Sequence, residues 1–199
     1  MFNPYRSACY VISAHKLQQL PPDEGFEVAF AGRSNAGKSS AINTLADQKS
    51  LARTSKTPGR TQQIVIFDID SERRIADLPG YGYANVPAKL KAHWQQVMQK
   101  YFEQRQCLKG VVLVMDIRHP MREFDQQMLN WCSVTRVPCH LLLPKSDKLK
   151  RGPAQAALLK VRKMLPPGAT AQVFSSKSRA GLTELISRLN EWYEIAPRV

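Results

Sequence analysis

A glycine-rich segment that begins at Gly32 has the spacing of a phosphate-binding loop. Residues 32–39 read GRSNAGKS and fit the pattern G-x-x-x-x-G-K-[ST], directly after the apolar run FEVAFA and before a stretch with helical spacing. Glycines allow backbone N–H groups to surround phosphate oxygens, and the start of the following helix adds partial positive charge. The pattern predicts a nucleoside triphosphate site in which Lys38 pairs with the β- and γ-phosphates and the Ser39 hydroxyl binds Mg²⁺.

A second motif, DLPG at 77–80, follows about 40 residues later at the end of a predicted strand. In that position Asp77 can hold Mg²⁺ through a water molecule, and the Gly80 N–H can contact the γ-phosphate. This order of motifs predicts a site that senses whether the third phosphate is present.

A third motif, PKSDK at 144–148, lies about 65 residues further on, again at the end of a predicted strand. The Asp147 carboxylate can accept hydrogen bonds from the two N–H donors on the guanine edge, and adenine offers no such pair. The stem of Lys145 can lie along the face of the base. GTP and GDP are therefore the expected ligands, with a P-loop ATPase or kinase as the alternative.

The whole chain alternates between short apolar strands and amphipathic helices, which predicts an α/β fold. We expect a mostly parallel central sheet with helices on both faces, as in the Ras-like G domain of P-loop NTPases. Residues 1–24 are interpreted as a lead-in that packs on a G domain spanning 25–199. The predicted strands are 26–31, 63–69, 74–77, 110–116, 138–144 and 171–175. Side chains predicted to face the core from helices are Leu90, Trp94, Val97, Tyr101, Phe124, Met128, Cys132, Leu182, Leu185, Ile186 and Leu189.

The composition indicates a globular protein with an unusually basic surface. The 199 residues include 43% hydrophobic residues, and the net charge is +13. Such a charge attracts polyanions, so nucleic acid is the favoured partner, while an anionic membrane surface and simple solubility remain open. No run approaches the roughly 18 apolar residues of a membrane span, and the four cysteines lack zinc-site spacing. We expect a cytoplasmic monomer with reduced thiols.

The chain resembles the EngB (YihA/YsxC) family of bacterial ribosome-assembly GTPases, in the superfamily of TrmE, Era, EngA, EngB and septin GTPases. The resemblance runs from VISAHKLQQLP through GRSNAGKSS, KTPGRTQ and DLPGYGYA to FSSKSRAG, and so covers nearly the whole chain. It implies that Thr61 contributes to the Mg²⁺ site and that residues 59–63 line the nucleotide. It also implies that Ser175 and Ser176 belong to the loop whose backbone reads the guanine carbonyl.

Motifs and resemblance together assign one set of site residues. Catalytic roles are predicted for Lys38, Thr61, Gly80 and Asn35, and Mg²⁺ ligation for Ser39, Thr61 and Asp77. The residues predicted to bind the nucleotide are Gly32, Arg33, Ser34, Asn35, Ala36, Gly37, Lys38, Ser39, Gly59, Arg60, Thr61, Gln62, Gln63, Asp77, Leu78, Pro79, Gly80, Pro144, Lys145, Ser146, Asp147, Phe174, Ser175 and Ser176.

One position departs from the family pattern. Where related GTPases have Asn or Thr before Lys-x-Asp, this chain has Pro144, which offers neither a side-chain donor nor a backbone N–H. A bond from this strand end to the phosphate loop is therefore expected to be absent. We predict that a Pro144→Thr substitution tightens guanine nucleotide binding, measured as a lower Kd for GDP. An unchanged Kd would refute this prediction.

The catalytic machinery is expected to be slow. Tyr81 follows DLPG at the position where Ras-like enzymes carry a water-orienting glutamine, and a phenol cannot orient water as an amide does. The resemblance implies that the Tyr81 side chain swings away. It also implies that Asn35 helps to hold a K⁺ ion beside the phosphates, with a purely turn-shaping role for Asn35 as the alternative.

The resemblance further implies a role in maturing the large (50S) ribosomal subunit or its precursor, with rRNA as the contact, and through that in cell division and septation. Direct action on septum formation is the alternative. Basic residues that could contact RNA phosphates lie in three segments: Lys49, Arg53, Lys56 and Arg60; Lys145, Lys148, Lys150 and Arg151; and Lys160, Arg162 and Lys163.

Overall fold

The computed structural model describes residues 3–53, 63–81 and 88–196, with the backbone alone at 88–91 and 93. Within these residues, five α-helices flank one seven-stranded sheet. The strands are β1 (Cys9–Ala14), β2 (Phe26–Gly32), β3 (Ile64–Asp68), β4 (Arg73–Asp77), β5 (Leu108–Val114), β6 (Cys139–Leu143) and β7 (Thr170–Val173). The helices are α1 (Lys38–Leu45), α2 (Ala88–Gln104), α3 (Glu123–Thr135), α4 (Arg151–Arg162) and α5 (Leu182–Trp192).

The sheet has the strand order β1-β3-β4-β2-β5-β6-β7 and is mostly parallel. Strand β3 is antiparallel to both of its neighbours, β1 and β4, and forms a hairpin with β4. The turn of that hairpin is fixed by Asp70, whose Oδ1 accepts hydrogen bonds from the N–H groups of Glu72 and Arg73. The predicted α/β fold with a mostly parallel sheet is confirmed.

Helices cover both faces of the sheet, as the sequence predicts. Alternation along β2 sends Ala29 and Ala31 to the face covered by α2, α3 and α4, and Val28 and Phe30 to the face covered by α1 and α5. Of the side chains predicted to face the core, the buried ones are Tyr101, Met128, Cys132, Leu185, Ile186 and Leu189. Trp94, Val97, Phe124 and Leu182 are partly buried against the two cores, and the side chain of Leu90 lies outside the described residues.

The edge strand β1 is an element that the sequence pattern did not predict. It pairs antiparallel with β3, and its first residues are exposed; Tyr10 and Val11 retain 58% and 40% of their accessible surface. The preceding segment is tied to α5 because Tyr5 is buried and its hydroxyl donates to Asn190 Oδ1 at 2.8 Å. The run CYVISA is itself rich in apolar and strand-favouring residues, so its composition could have identified this strand.

The sheet topology brings the sequence motifs together at one edge. Strands β4, β2, β5, β6 and β7 are neighbours and all run in the same direction, so their carboxyl ends form a single rim. The chain leaves β2 toward one face and reaches β5 from the other, and ligands of open α/β sheets bind at such a switch point. None of the helices in the described ranges is both long and apolar enough to span a bilayer.

Candidate nucleotide-binding site

The loop between β2 and α1 forms a concave backbone surface. Asn35 and Gly37 have φ angles of 59° and 116°, and the Ala36 N–H donates to the Arg33 carbonyl at 3.0 Å. Left-handed residues beside right-handed ones turn successive N–H groups toward one side of a loop, where an oxyanion can accept from them. This geometry matches the predicted phosphate loop.

Two glycines of this loop are required by close neighbours. A Cβ on Gly32 would lie 2.6 Å from the Val114 carbonyl oxygen, which is shorter than any tolerable contact. A Cβ on Gly37 would lie 3.2 Å from Cγ of Pro144, in a backbone conformation that side chains disfavour. The loop is therefore packed closely against the ends of β5 and β6.

Lys38, at the start of α1, forms an ion pair with Asp77 at the end of β4. Both side chains are largely buried, with 11% and 12% exposed, so the pair is shielded from solvent. Leu78 follows in the core, and its N–H donates to the Phe30 carbonyl at 2.9 Å. The pair places the proposed phosphate-binding ammonium beside the proposed Mg²⁺-site carboxylate.

The oxygen donors at this point fit Mg²⁺. Ser39 provides a hydroxyl in the first turn of α1, and Asp77 provides a carboxylate at the end of β4. Mg²⁺ commonly takes one or two protein oxygens together with water and phosphate oxygens. No group of three or more His, Cys, Asp or Glu able to hold a metal occurs in the described part of the chain. The Ser39 hydroxyl and the Asp77 carboxylate are the kind of oxygens that hold an ion shared between protein and nucleotide.

The segment after β4 lies along the phosphate loop. The Ser34 N–H donates to the Tyr81 carbonyl at 3.0 Å, and the Tyr81 N–H donates to the Gly32 carbonyl at 3.4 Å. A Cβ on Gly80 would lie 3.4 Å from the backbone of Ser34, and Pro79 is buried. The DLPG motif is therefore adjacent to the phosphate loop, as a phosphate sensor would have to be.

The side chain of Tyr81 points into the core and not over the phosphate loop. It is 3% exposed, its ring centroid lies 5.6 Å from that of Trp94 and 6.0 Å from that of Phe124, and its hydroxyl donates to Asp125 Oδ1 at 2.8 Å. The other Asp125 oxygen accepts from the Arg122 N–H at 2.9 Å. Burial raises the pKa of Asp125 despite these bonds. No sequence motif marks Asp125 as the hydrogen-bond partner of the buried Tyr81 hydroxyl.

A Tyr81→Phe substitution is expected to reduce stability without changing hydrolysis. Losing the hydroxyl leaves Asp125 short of a buried partner, which typically costs about 1–3 kcal/mol of unfolding free energy, measurable by urea denaturation. The single-turnover GTP hydrolysis rate should stay within about twofold, because the phenol lies away from the phosphates. The matched control is Tyr10→Phe, which removes an exposed hydroxyl that lies 3.2 Å from Ser13 Oγ. A tenfold slower rate with intact stability would contradict this account.

The base end of the site is formed by loops after β6 and β7. The Ser175 hydroxyl donates to Asp147 Oδ1 at 2.7 Å, and the Ser178 N–H donates to the Ser175 oxygen at 3.2 Å. Because of the bond from Ser175, the pKa of the exposed Asp147 carboxyl lies below its ordinary value. The Ser146 N–H and hydroxyl both donate to the Phe174 carbonyl, at 3.1 and 2.8 Å, joining the two loops. Ser176, next along, is half-buried.

The expectation that no bond joins the β6 end to the phosphate loop is wrong, because the residue after Pro144 supplies one. Pro144 itself contributes only ring packing against Gly37, but Lys145 Nζ donates to the Asn35 carbonyl at 2.6 Å. The same ammonium contacts Asp116, at the end of the predicted strand 110–116. A carboxylate at the carboxyl end of a parallel strand is the sequence signal that could have identified Asp116 as a site residue.

Part of the predicted site falls outside the described residues. These are Gly59, Arg60, Thr61 and Gln62, so the proposed Thr61 contact with Mg²⁺ stays a prediction. Gln63 lies just before β3, with its Nε2 2.6 Å from Nε2 of His15. The phosphate loop, the DLPG segment and the loops after β6 and β7 lie at the carboxyl ends of β2, β4, β6 and β7, on one rim of the sheet.

Comparisons with known proteins agree with this geometry. The family model described as 50S ribosome-binding GTPase matches residues 27–145. The EngB GTP-binding protein of Stenotrophomonas maltophilia (strain K279a) is 54% identical over 189 residues, which is 93% of this chain and 94% of that protein.

Solved structures show the same fold. An engB GTP-binding protein matches with a TM-score of 0.69 and 22% identity, over 85% of this chain and all of the other. Era in complex with MgGDPNP and a fragment of 16S ribosomal RNA matches with a TM-score of 0.63 and 21% identity, over 88% of this chain and 59% of the other. The match to a GTPase family removes the ATPase alternative. The chain is therefore a GTPase that belongs to the EngB family of GTP-binding proteins.

Proposed function

We propose that this GTPase is a slow nucleotide switch that acts in assembly of the large (50S) ribosomal subunit, and thereby supports cell division and septation. The observation that carries the proposal is the burial of Tyr81 at the position where a water-orienting glutamine would stand. The site can bind the phosphates and the base, but at the position after DLPG it lacks a side chain that orients water for fast hydrolysis. A GTPase of this kind stays in its GTP-bound state long enough to control binding to a partner.

Nucleotide binding would exchange one partner of Lys38 for another. In the structure its ammonium pairs with Asp77, and the β- and γ-phosphates would supply the competing oxygens. Asp77 would then be available, with Ser39 and Thr61, to hold Mg²⁺, which supplies charge neutralisation at the phosphates when bound. The Gly80 N–H, adjacent to Ser34, would report the presence of the γ-phosphate. This exchange links occupancy of the site to the segment that follows β4.

Asn35 is the residue proposed to hold K⁺ beside the phosphates. The backbone of Asn35 is left-handed and its carbonyl accepts from Lys145, so the residue also shapes the turn of the loop. The proposed contact with K⁺ would be made by the Asn35 side chain. If K⁺ offsets negative charge in the transition state, GTP hydrolysis should be about tenfold faster in KCl than in NaCl at equal ionic strength, and an Asn35→Ala variant should lose the difference. Equal rates in both salts would refute the K⁺ role.

The basic surface supports an RNA partner. Helix α4 buries Leu158 and Val161, which leaves basic residues on its outer side. The exposed basic residues among those predicted to contact RNA are Lys49, Arg53, Lys148, Lys150, Arg151, Lys160, Arg162 and Lys163; Lys56 and Arg60 lie outside the described residues. With a net charge of +13, these groups would contact rRNA phosphates in a salt-sensitive, largely sequence-independent manner. The structure of Era, which has the same fold, contains a fragment of 16S ribosomal RNA, and this supports ribosomal RNA as the partner proposed for this chain.

Depletion of the protein in the cell that encodes it tests the assembly role. Ribosomal particles would be separated on sucrose gradients at intervals after depletion, alongside microscopy of septa. The proposal predicts that incomplete large subunits accumulate before septation fails. Septation failure with a normal particle profile would instead support the alternative, direct action on division. A copy with the Lys38→Met substitution provides the matched control for nucleotide dependence.

A further inference from the structure

The ammonium group of Lys145 lies between two elements of the site. Its Nζ donates to the Asn35 carbonyl at 2.6 Å and to Asp116 Oδ2 at 2.8 Å. Lys145 itself has a φ of 65°, so the backbone adopts a left-handed conformation at the point where the chain turns from β6 toward Asp147. The lysine is thus held at both ends, by its own turn and by acceptors on two other segments.

The Asp116 carboxylate is itself fixed by Arg118. Arg118 Nε donates to Oδ1 at 2.9 Å, Nη2 donates to Oδ2 at 2.7 Å, and the Arg118 N–H donates to Oδ1 at 3.1 Å. Burial raises the pKa of Asp116, but the bonds from Arg118 and Lys145 outweigh it and hold the pKa well below its ordinary value. The Asp116 side chain is 16% exposed, against 45% for Arg118. A charged, oriented acceptor therefore faces Lys145.

This arrangement compensates for Pro144. The proline ring packs on Gly37, but it offers no hydrogen-bond donor to the phosphate loop. The polar link between the end of β6 and that loop passes through Lys145, whose ammonium also donates to Asp116. The three-part contact joins the ends of β2, β5 and β6.

We propose that Asp116 is a positioning residue for guanine nucleotide binding: its carboxylate, held by Arg118, fixes the Lys145 ammonium on the phosphate loop, so that the Lys145 stem forms one wall of the base pocket. The inference rests on the proposed guanine site. Asp116 acts through Lys145 and does not itself touch the base.

The test is titration of the full chain with methylanthraniloyl-labelled GDP. Asp116→Asn keeps the shape of the side chain and removes its charge, so we expect a Kd raised about tenfold, mainly through faster dissociation. The matched control is Asp70→Asn in the β3–β4 turn. Like Asp116, Asp70 accepts from an arginine side chain, Arg73 Nη1 at 3.1 Å, and from backbone N–H, in its case two groups. That control should bind within about twofold of the unmodified chain.

A double-mutant cycle separates positioning from a structural role. If Asp116 acts through Lys145, the Asp116→Asn, Lys145→Met double variant should bind no more weakly than Lys145→Met alone, with thermal unfolding checked for each variant. Additive losses, or an Asp116→Asn variant with unchanged Kd, would overturn the inference and leave the guanine site standing. Failure of the unmodified chain to bind labelled GDP would overturn the guanine site itself, and this inference with it.

Discussion

The Lys38→Met variant is expected to bind GTP roughly 10²–10⁴-fold more weakly than the unmodified chain. Each charge-assisted hydrogen bond is worth about 1.5–3 kcal/mol, and the ammonium would make bonds to both the β- and γ-phosphates. Methionine retains the length of the stem and so limits the effect to the charge. The measurement is isothermal titration with a non-hydrolysable GTP analogue.

The ion pair with Asp77 gives this experiment a second readout. Lys38→Met leaves Asp77 as a largely buried carboxylate without its partner, so the unfolding free energy should also fall. Lys49→Met is the matched control, because Lys49 is exposed. If both variants bound the GTP analogue within threefold of the unmodified chain, the assignment of Lys38 to the phosphates would be wrong.

The Asp147→Asn variant is expected to lose affinity for GDP by roughly 10²–10⁴-fold and to prefer xanthosine diphosphate. Asp147 would accept from two guanine N–H donors, and xanthine replaces the exocyclic amine with a carbonyl acceptor. The Ser175 hydroxyl, 2.7 Å from Asp147 Oδ1, can donate equally well to the amide oxygen of Asn. That bond would turn the new NH₂ group toward the base.

Competition between GDP, xanthosine diphosphate and ADP for labelled GDP measures this exchange. The unmodified chain should rank GDP first, and Asp147→Asn should rank xanthosine diphosphate first. ADP should remain weak for both proteins, which makes it the internal control. Equal loss of all three nucleotides would indicate a damaged loop and would contradict base reading by Asp147.

The sequence predicts the motif-bearing elements well because their signals are local. Gly32 and Gly37 mark a strand-to-helix turn of the kind that binds phosphate through its backbone N–H groups, so the glycines alone indicate its function. Apolar runs mark the central strands. The parallel direction of those strands then determines that Asp77 and Asp147 lie on the same rim. Local chemistry and topology are enough to assemble most of the site.

What the sequence does not predict depends on contacts between distant segments. Asp125 lies 44 residues from Tyr81, and Asp116 lies 29 residues from Lys145. Asp125 belongs to no spaced motif, and the only signal for Asp116 is its place at the end of a predicted strand, so the partners of both become visible only when the helices and strands are packed. The effect of Pro144 on the phosphate loop is mispredicted for the same reason. Pro144 cannot donate a hydrogen bond to the loop, but the neighbouring Lys145 donates one to the Asn35 carbonyl.

Sedimentation with separated ribosomal subunits tests the proposed switch most directly. The purified protein would be mixed with small or large subunits in a non-hydrolysable GTP analogue or in GDP, at low and moderate salt. We predict that the protein is retained on the large subunit alone, in the GTP analogue, and that this retention persists at moderate salt. Equal binding to both subunits in either nucleotide, abolished by salt, would contradict it, because the basic surface would then act only as a general attractor of RNA.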